Sequence, residues 1–205
     1  MLVLASASPR RQELLKNAGV EFVVRPANIP EEPLPGESAR DFAERMAREK
    51  ARAVWNHEQN GNSTTKDRKS HEPIPDRQDL YVLGADTVVV IDEVILGKPE
   101  NDEDAARMLR LLSGRKHEVI TAACLVGRGF EDVRSETTSV YFRKIPESEV
   151  REYIASREPM DKAGAYAIQG GASRWVEKID GDYSNVVGLP VELVLKMMRD
   201  HGLRN

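Results

Sequence analysis

The run Tyr81–Ile91 constrains the fold of this chain more than any other segment. Apart from Asp86 and Thr87 it is uncharged and strongly apolar. Such a run is typical of a long buried strand, and the following Asp92-Glu93 and Val94–Leu96 indicate a tight turn and a short returning strand. The sequence therefore predicts a β-sheet with one acidic side chain inside a buried strand.

The N-terminus predicts a second strand that leads directly into a helix. Residues 2–5 are apolar, Ser8 is a typical N-cap, Pro9 suits the first helical position, and Gly19 suits the end of the helix. A strand that runs into a capped helix is a geometry that binds anions, because free backbone N–H groups and the helix dipole point at the ligand.

The remaining pattern predicts both crossovers and hairpins. Ser38 and Asp41 form a capping box for a second helix, Asn101 or Asp102 begins a third, and Pro146 and Pro190 begin two more. Further strands are predicted at 119–126, 134–142 and 175–179. Because helices alternate with strands early and hairpins follow, we expect an α/β fold with a long mixed sheet and flanking helices.

Residues 57–79 contain almost no apolar side chains, so we expect a polar, flexible loop inserted in a single domain over 1–205. His57 and His71 lie in it without the regular spacing of a metal site. Net charge −4 and 5% aromatic residues disfavour a nucleic-acid partner. No apolar run approaches the roughly 18 residues of a membrane span. The single cysteine, Cys124, fits a reducing compartment, so we expect a cytoplasmic protein.

Four side chains at the first helix could bind phosphate. Ser6 and Ser8 supply hydroxyls, and Arg10 and Arg11 supply guanidinium groups that can each donate two parallel hydrogen bonds. The alternative is an ordinary capped helix with surface arginines. We favour the anion site, because arginine in a first turn opposes the helix dipole and needs another reason to be there.

Four further positions could supply catalytic or binding groups. A buried carboxylate at Asp86 needs a metal, a cation or hydrogen bonds, and a structural ion pair is the competing explanation. Lys50 lies on the apolar face of the second helix, where it either extends to solvent or points into a site. Lys98 is fixed between Gly97 and Pro99. In the glycine-rich loop 164–171, Gln169 can both donate to and accept from a base edge.

Together these motifs resemble the Maf-like nucleoside triphosphate pyrophosphatases. The resemblance covers nearly the whole chain except the 57–79 loop, and it rests on nine ordered segments: LASASPRR (4–11), REKA (48–51), GADT (84–87), LGKP (96–99), LSG (112–114), EPMDKAGAY (158–166), IQG (168–170), IDGDY (179–183) and GLP (188–190).

The resemblance implies a fold with two lobes around a cleft, and it implies site residues. Asp86 matches the proton acceptor for the attacking water, Lys50 and Lys98 match cleft lysines, and Glu31 matches an acidic residue, although that alignment can slip to Glu32. The family needs Mg²⁺ or Mn²⁺, which Asp86 and Glu31 would hold. It also implies a homodimer and a nucleoside triphosphate substrate.

The resemblance also bears on the nucleotide. In the branch that acts on dTTP and UTP, the discriminating residues are Arg, Thr and Gln, matched here by Arg10, Thr87 and Gln169; in the 7-methylguanosine triphosphate branch, acidic residues replace the last two. A neutral glutamine suits the imide edge of uracil or thymine. The sequence therefore predicts a house-cleaning enzyme that hydrolyses dTTP and UTP to monophosphate and pyrophosphate. The alternatives are a 7-methylguanosine triphosphate pyrophosphatase and a non-catalytic nucleotide-binding regulator of cell division.

Overall fold

The structure, a computed structural model, describes residues 1–60 and 80–203. Its strands are β1 (Leu2–Leu4), β2 (Phe22–Val24), β3 (Tyr81–Ile91), β4 (Val94–Leu96), β5 (Lys116–Gly127), β6 (Phe130–Phe142) and β7 (Val176–Asp180). Its α-helices are α1 (Pro9–Asn17), α2 (Ala39–Gln59), α3 (Asp102–Leu112), α4 (Glu147–Ala155), α5 (Tyr183–Val187) and α6 (Val191–Asp200). Short 3₁₀ turns occupy Glu158–Asp161, Ala163–Ala165 and Gly171–Trp175.

The strands form one mixed sheet in the order β2-β1-β3-β5-β6-β7, with β4 paired to β3. β1 is parallel to β2 and β3, whereas the pairs from β3 onwards are antiparallel. This confirms the predicted α/β class with a mixed sheet. β3 lies inside the sheet between β1 and β5, as its apolar sequence requires.

Alternation along β3 divides the core between the two faces of the sheet. Val82 and Val88 pack with the apolar face of α2, whereas Leu83 and Ala85 pack with α1 and α6 on the opposite face. Gly84 lets α2 approach the strand closely, because a Cβ there would lie 2.2 Å from the Ala47 carbonyl oxygen. As a result α2 is fixed against the middle of β3, next to Asp86.

The predicted boundary of the polar loop at residue 57 is wrong. α2 continues to Gln59, and the Asn60 N–H still donates to the Asn56 carbonyl at 3.0 Å. Polar residues do not end a helix by themselves, and the first glycine after Val54 is Gly61. The rest of that loop, including His71, lies outside the described residues.

Most helix boundaries agree with the sequence signals, with one exception at Ser8. The N-cap half of the capping box is confirmed, since the Asp41 N–H donates to Ser38 Oγ at 3.2 Å. The Asp41 carboxylate accepts from the Ser38 hydroxyl at 2.6 Å, and Asn101 caps α3. Ser8 occupies the N-cap position of α1, but its hydroxyl makes no capping hydrogen bond. The neighbouring Ser6 hydroxyl instead accepts the Ser8 N–H at 3.2 Å, so the proposed capping role of Ser8 is wrong.

Two elements have no counterpart among the sequence predictions, namely β2 at the sheet edge and α5 before the last helix. Each is short, and neither has a strong periodic pattern. Among the helices of residues 1–60 and 80–203, none is both long and apolar enough to cross a membrane.

Candidate active site

A cleft of about 950 Å³ opens beside the middle of β3. Its walls come from the β1–α1 segment, from α2, from the turn after β4, from residues 160–168 and from the end of α5. The charged side chains that line it are Arg10, Arg11, Glu31, Lys50, Asp86, Lys98, Asp161 and Lys162. This volume lies within the roughly 300–1,000 Å³ that small-molecule and cofactor pockets occupy in proteins.

Consecutive side chains of β3 at the cleft point to opposite faces of the sheet. Asp86 follows Val82 and Gly84 towards α2, where its Oδ1 lies 2.6 Å from Lys50 Nζ. Both residues are buried, with 8% and 7% of their surface exposed. Lys50 therefore points into the site instead of extending to solvent, and the buried carboxylate has the cationic partner that it requires.

The ion pair extends into a chain of four alternating charges. Lys50 Nζ also lies 2.6 Å from Glu31 Oε1, and Lys98 Nζ lies 3.5 Å from Glu31 Oε2. Partial burial alone would raise the pKa of Glu31, but the hydrogen bond from Lys50 and the charges of both lysines outweigh it, so the pKa lies below its ordinary value. The structure thus brings Asp86, Lys50, Glu31 and Lys98 together as the resemblance implied.

The Arg11 guanidinium donates hydrogen bonds to four protein oxygens. Its Nε donates to the Gly188 carbonyl at 2.8 Å and its Nη1 to the Ala85 carbonyl at 2.8 Å. The same Nη1 contacts Ser6 Oγ at 3.2 Å, and Nη2 donates to Thr87 Oγ1 at 3.1 Å. Burial lowers the pKa of Arg11 although Asp86 and Glu31 oppose the shift, and a guanidinium stays charged in proteins regardless. Arg11 therefore joins α1, β3 and the α5–α6 turn beneath the cleft.

The other residues of the predicted phosphate segment also reach the cleft. Ser6 is buried and its hydroxyl binds both the Ser8 N–H and Arg11, which folds the segment tightly at the start of α1. Ser8 and Arg10 line the cleft and are half-buried. Because four protein oxygens already bind Arg11, Arg10 is the better candidate of the two arginines for direct contact with a ligand.

Thr87 and Gln169, which the resemblance associates with recognition of the nucleobase, differ in their surroundings. The Thr87 hydroxyl accepts from Arg11 and shares a hydrogen bond of 3.0 Å with the Thr121 hydroxyl. Ile168 lines the cleft, whereas the following Gln169 is exposed at its margin and is not part of the lining. Thr87 is therefore a fixed part of the cleft wall, and Gln169 is a peripheral side chain.

Sequence reasoning missed one cation of the cleft. The side chain of Lys162 is 15% exposed, lines the cleft and forms an ion pair with Asp161. The Gly164 N–H donates to the Gly97 carbonyl at 3.0 Å, which ties this segment to the turn that carries Lys98. The available signal was the place of Lys162 in the EPMDKAGAY segment, directly before the glycine-rich loop.

The carboxylates of the cleft fit one kind of metal site. Across the part of the chain that the structure describes, no three or more His, Cys, Asp or Glu side chains are grouped to hold a metal ion. Asp86 and Glu31, however, converge on the same Lys50 ammonium. Mg²⁺ in nucleotide enzymes is commonly held by one or two carboxylates, with substrate phosphates and water completing its shell. This donor set suits that arrangement.

Comparison with known proteins agrees with the motif resemblance. A family model described as Maf-like protein matches residues 1–201. The chain is 49% identical over 202 residues to the dTTP/UTP pyrophosphatase of Koribacter versatilis (strain Ellin345), covering 98% of this chain and 95% of that protein. It is 47% identical over 207 residues to the protein of the same name from Syntrophomonas wolfei subsp. wolfei, covering 98% and 100%. For the Geobacter sulfurreducens protein of that name the identity is 48% over 203 residues, covering 98% and 96%.

Proposed function

The chain belongs to the Maf-like protein family, and we propose that it is a nucleoside triphosphate pyrophosphatase that hydrolyses dTTP and UTP to the monophosphate and pyrophosphate. A house-cleaning role, which removes unwanted nucleotides, follows from such an activity. The observation that carries the proposal is the buried Asp86 carboxylate, which is paired with Lys50 in a cleft large enough for a nucleotide.

Asp86 would act as the general base for the attacking water. A base must lie within hydrogen-bond reach of the proton that it accepts, and Asp86 lines the cleft from a rigid inner strand. Lys50 holds one carboxylate oxygen at 2.6 Å and so fixes the orientation of the group. As the water oxygen attacks the α-phosphorus, its proton passes to Asp86, and the bond from the α-phosphorus to the α–β bridging oxygen breaks, so that pyrophosphate leaves.

The lysines and the α1 segment would neutralise the triphosphate. Phosphoryl transfer depends on positioning and charge stabilisation more than on covalent chemistry. Lys50, Lys98 and Lys162 line the cleft, and Arg10 and Ser8 lie at the start of α1. Arg11, whose donors already bind Gly188, Ala85, Ser6 and Thr87, would hold this segment in place and contribute its charge.

Asp86 and Glu31 would hold a divalent cation, Mg²⁺ or Mn²⁺, together with the substrate phosphates. When bound, the cation supplies charge neutralisation and Lewis-acid polarisation of the phosphate. Lys50 lies 2.6 Å from both carboxylates, so it keeps them close together before any ligand enters.

Thr87 and Gln169, the residues associated with the nucleobase, are neutral, which supports pyrimidine substrates. Gln169 can donate to and accept from the imide edge of uracil or thymine. A 7-methylguanine base carries positive charge and favours a carboxylate instead. Arg10 would contact the nucleotide directly, whereas Thr87 would act by holding Arg11, since the two are hydrogen-bonded at 3.1 Å.

We also propose that the protein is a homodimer and that it lies in the cytoplasm. The homodimer follows from family membership alone, and light scattering of the purified protein tests it. The cytoplasmic location is supported by the single cysteine, Cys124, which is buried in the sheet. Burial raises its pKa to about 12, so it stays a neutral thiol.

The test of substrate class is a panel of UTP, dTTP, CTP and 7-methylguanosine triphosphate at equal concentration, with Mg²⁺ and separately with Mn²⁺. We expect kcat/KM for UTP and dTTP to exceed the other values by at least about tenfold, which corresponds to about 1.4 kcal/mol of discrimination. Equal or faster turnover of 7-methylguanosine triphosphate would overturn the pyrimidine assignment. Omission of the metal is expected to abolish turnover.

A further inference from the structure

The side chains of Tyr153 and Glu158 bind the backbone of the loop that carries Gln169. The Tyr153 hydroxyl accepts the Ala167 N–H at 3.0 Å and donates to Glu158 Oε1 at 2.8 Å. The Glu158 carboxylate in turn accepts the Gly171 N–H at 3.2 and 3.3 Å. Backbone groups two residues before and two residues after Gln169 are therefore bound to one hydrogen-bonded pair.

The packing around this pair leaves little freedom for movement. Tyr153 is 3% exposed and its ring contacts that of Trp175 edge-on, with centroids 5.0 Å apart. A Cβ on Gly170 would lie 1.8 Å from Glu158 Oε1, and one on Gly171 would lie 3.2 Å from two carbons of the Tyr153 ring. The paired glycines thus allow the loop to contact both side chains directly.

The protonation of Tyr153 suits its position between a carboxylate and an N–H. Burial raises the pKa of Tyr153, and the neighbouring Glu158 raises it further, although the Ala167 N–H acts in the opposite sense. The hydroxyl consequently keeps its proton and can donate to Glu158 while its lone pair accepts from Ala167.

We propose that Tyr153 and Glu158 are positioning residues for nucleobase selection, because they fix the loop that presents Gln169 beside the cleft. The inference rests on the proposed function, in which Gln169 reads the pyrimidine edge. Tyr166 and Ile168 of the same loop line the cleft, so its backbone borders the place where a nucleotide would lie.

Selection between uracil and cytosine depends on such positioning. Uracil presents an N3–H donor and an O4 acceptor, whereas cytosine presents an acceptor and a donor at the same two places. A glutamine amide carries one acceptor and one donor group, and rotation about its side-chain bonds lets it match either base. The place of its backbone then decides which base it meets at hydrogen-bond distance. With its backbone held by Tyr153 and Glu158, Gln169 is expected to lie where its amide forms the shorter and better aligned pair of hydrogen bonds with the uracil edge.

The test compares kcat/KM for UTP and CTP in Tyr153→Phe, Glu158→Ala and Gln169→Ala. The matched controls are Tyr141→Phe, on β6, and Glu177→Ala, on β7, both away from the loop contacts. We expect the UTP:CTP ratio to fall about tenfold in each of the three variants, mainly through a higher KM for UTP. The controls are expected to keep the wild-type ratio, and melting temperatures confirm that each variant is folded.

The double variant Glu158→Ala/Gln169→Ala separates positioning from general structural damage. If Glu158 acts through Gln169, the double variant has the same UTP:CTP ratio as Gln169→Ala alone. An unchanged ratio in folded Tyr153→Phe and Glu158→Ala, or independent losses that multiply in the double variant, would overturn the inference while leaving the pyrophosphatase intact. A wild-type protein that does not hydrolyse UTP would instead overturn the proposed function itself, and the inference with it.

Discussion

Two buried polar pairs lie near the cleft, and they differ in charge. Asp86 and Lys50 contact each other at 2.6 Å, while His117 Nε2 and the Tyr166 hydroxyl lie 2.9 Å apart. The first pair consists of two oppositely charged groups. In the second pair, burial lowers the pKa of His117 to about 4 and raises that of Tyr166, so both are neutral near pH 7.

The surroundings explain this difference. The charged pair opens to the cleft, where Glu31, with 41% of its side chain exposed, provides a second carboxylate for Lys50. The neutral pair is enclosed by aromatic rings, with Phe142 edge-on to both His117 and Tyr166 at 4.8 and 4.9 Å. Charge is thus retained where a ligand can reach it, and the neutral pair stabilises the cleft wall. The first pair should therefore control turnover and the second should control stability.

The largest expected effect comes from Asp86→Asn. The amide cannot accept a proton from water, so we expect kcat for UTP to fall about 1000-fold, within the range typical of general-base removal. Binding of UTP, measured by calorimetry without added divalent metal, should stay within a few fold of wild type, because the lysines and Arg10 of the cleft remain. Lost turnover with retained binding supports the enzyme over a non-catalytic regulator, whereas a variant that keeps a tenth of its activity would exclude Asp86 as the base.

The second effect concerns His117 and pH. The unfolded chain takes up a proton at this residue near its ordinary value of 6.5, but the folded chain does not until about pH 4. The stability that neutral His117 provides is therefore present above pH 6.5 and is lost as the pH falls towards 4. At about 1.4 kcal/mol per pKa unit, the loss amounts to about 3 kcal/mol.

Urea denaturation of wild type and His117→Gln between pH 7 and pH 4 isolates this contribution from that of the carboxylates. We expect the free energy of unfolding of the wild type to fall about 3 kcal/mol further than that of the variant. His57→Gln, at an exposed histidine on α2, serves as the control and should follow the wild type. Parallel pH profiles for wild type and His117→Gln would show that His117 is not a buried neutral group.

The third prediction distinguishes two adjacent acids. Glu31 contacts Lys50 and Lys98, whereas Glu32 is exposed and its backbone carbonyl accepts from Arg45. Glu31→Gln is expected to lower kcat/KM about 30-fold, equivalent to about 2 kcal/mol, and Glu32→Gln to change it less than twofold. Steady-state kinetics at saturating Mg²⁺ measures both. A larger loss in Glu32→Gln than in Glu31→Gln would show that Glu32, and not Glu31, is the acidic residue of the site.

The smallest effect is expected at Lys162, which lines the cleft beside Asp161. Lys162→Met should raise the KM for UTP about fivefold with little change in kcat, since it removes one of several cations that bind phosphate. Lys162→Arg should restore most of the affinity, and Lys144→Met, at an exposed lysine, should have no effect. An unchanged KM in Lys162→Met would place this lysine outside the phosphate site.

Local signals sufficed for the elements whose sequence patterns are strong. The apolar run of β3, its turn into β4 and the capping box at Ser38 predicted real elements, and helical spacing placed Lys50 beside Phe42 and Met46 on the buried face of α2. β2 and α5 are too short for a periodic pattern, so their formation depends on partners elsewhere in the sheet and core.

The site itself was less accessible to local reasoning. Glu31 lies in an irregular segment between β2 and α2, and only the family resemblance indicated it. The hydrogen bond from Arg11 to Gly188 joins residues 177 positions apart, and no local pattern encodes such a contact. Ser8 is a different case: its position at the N-cap was predicted correctly, but its N–H, instead of its hydroxyl, makes a local bond, to Ser6.

The most direct test of the account is to identify the phosphorus products of UTP hydrolysis by ³¹P NMR, with Mg²⁺ and catalytic amounts of the protein. Cleavage between the α and β phosphates predicts that UMP and pyrophosphate appear in equal amounts, and that Asp86→Asn produces neither at a comparable rate. Formation of UDP and orthophosphate would contradict the assigned reaction.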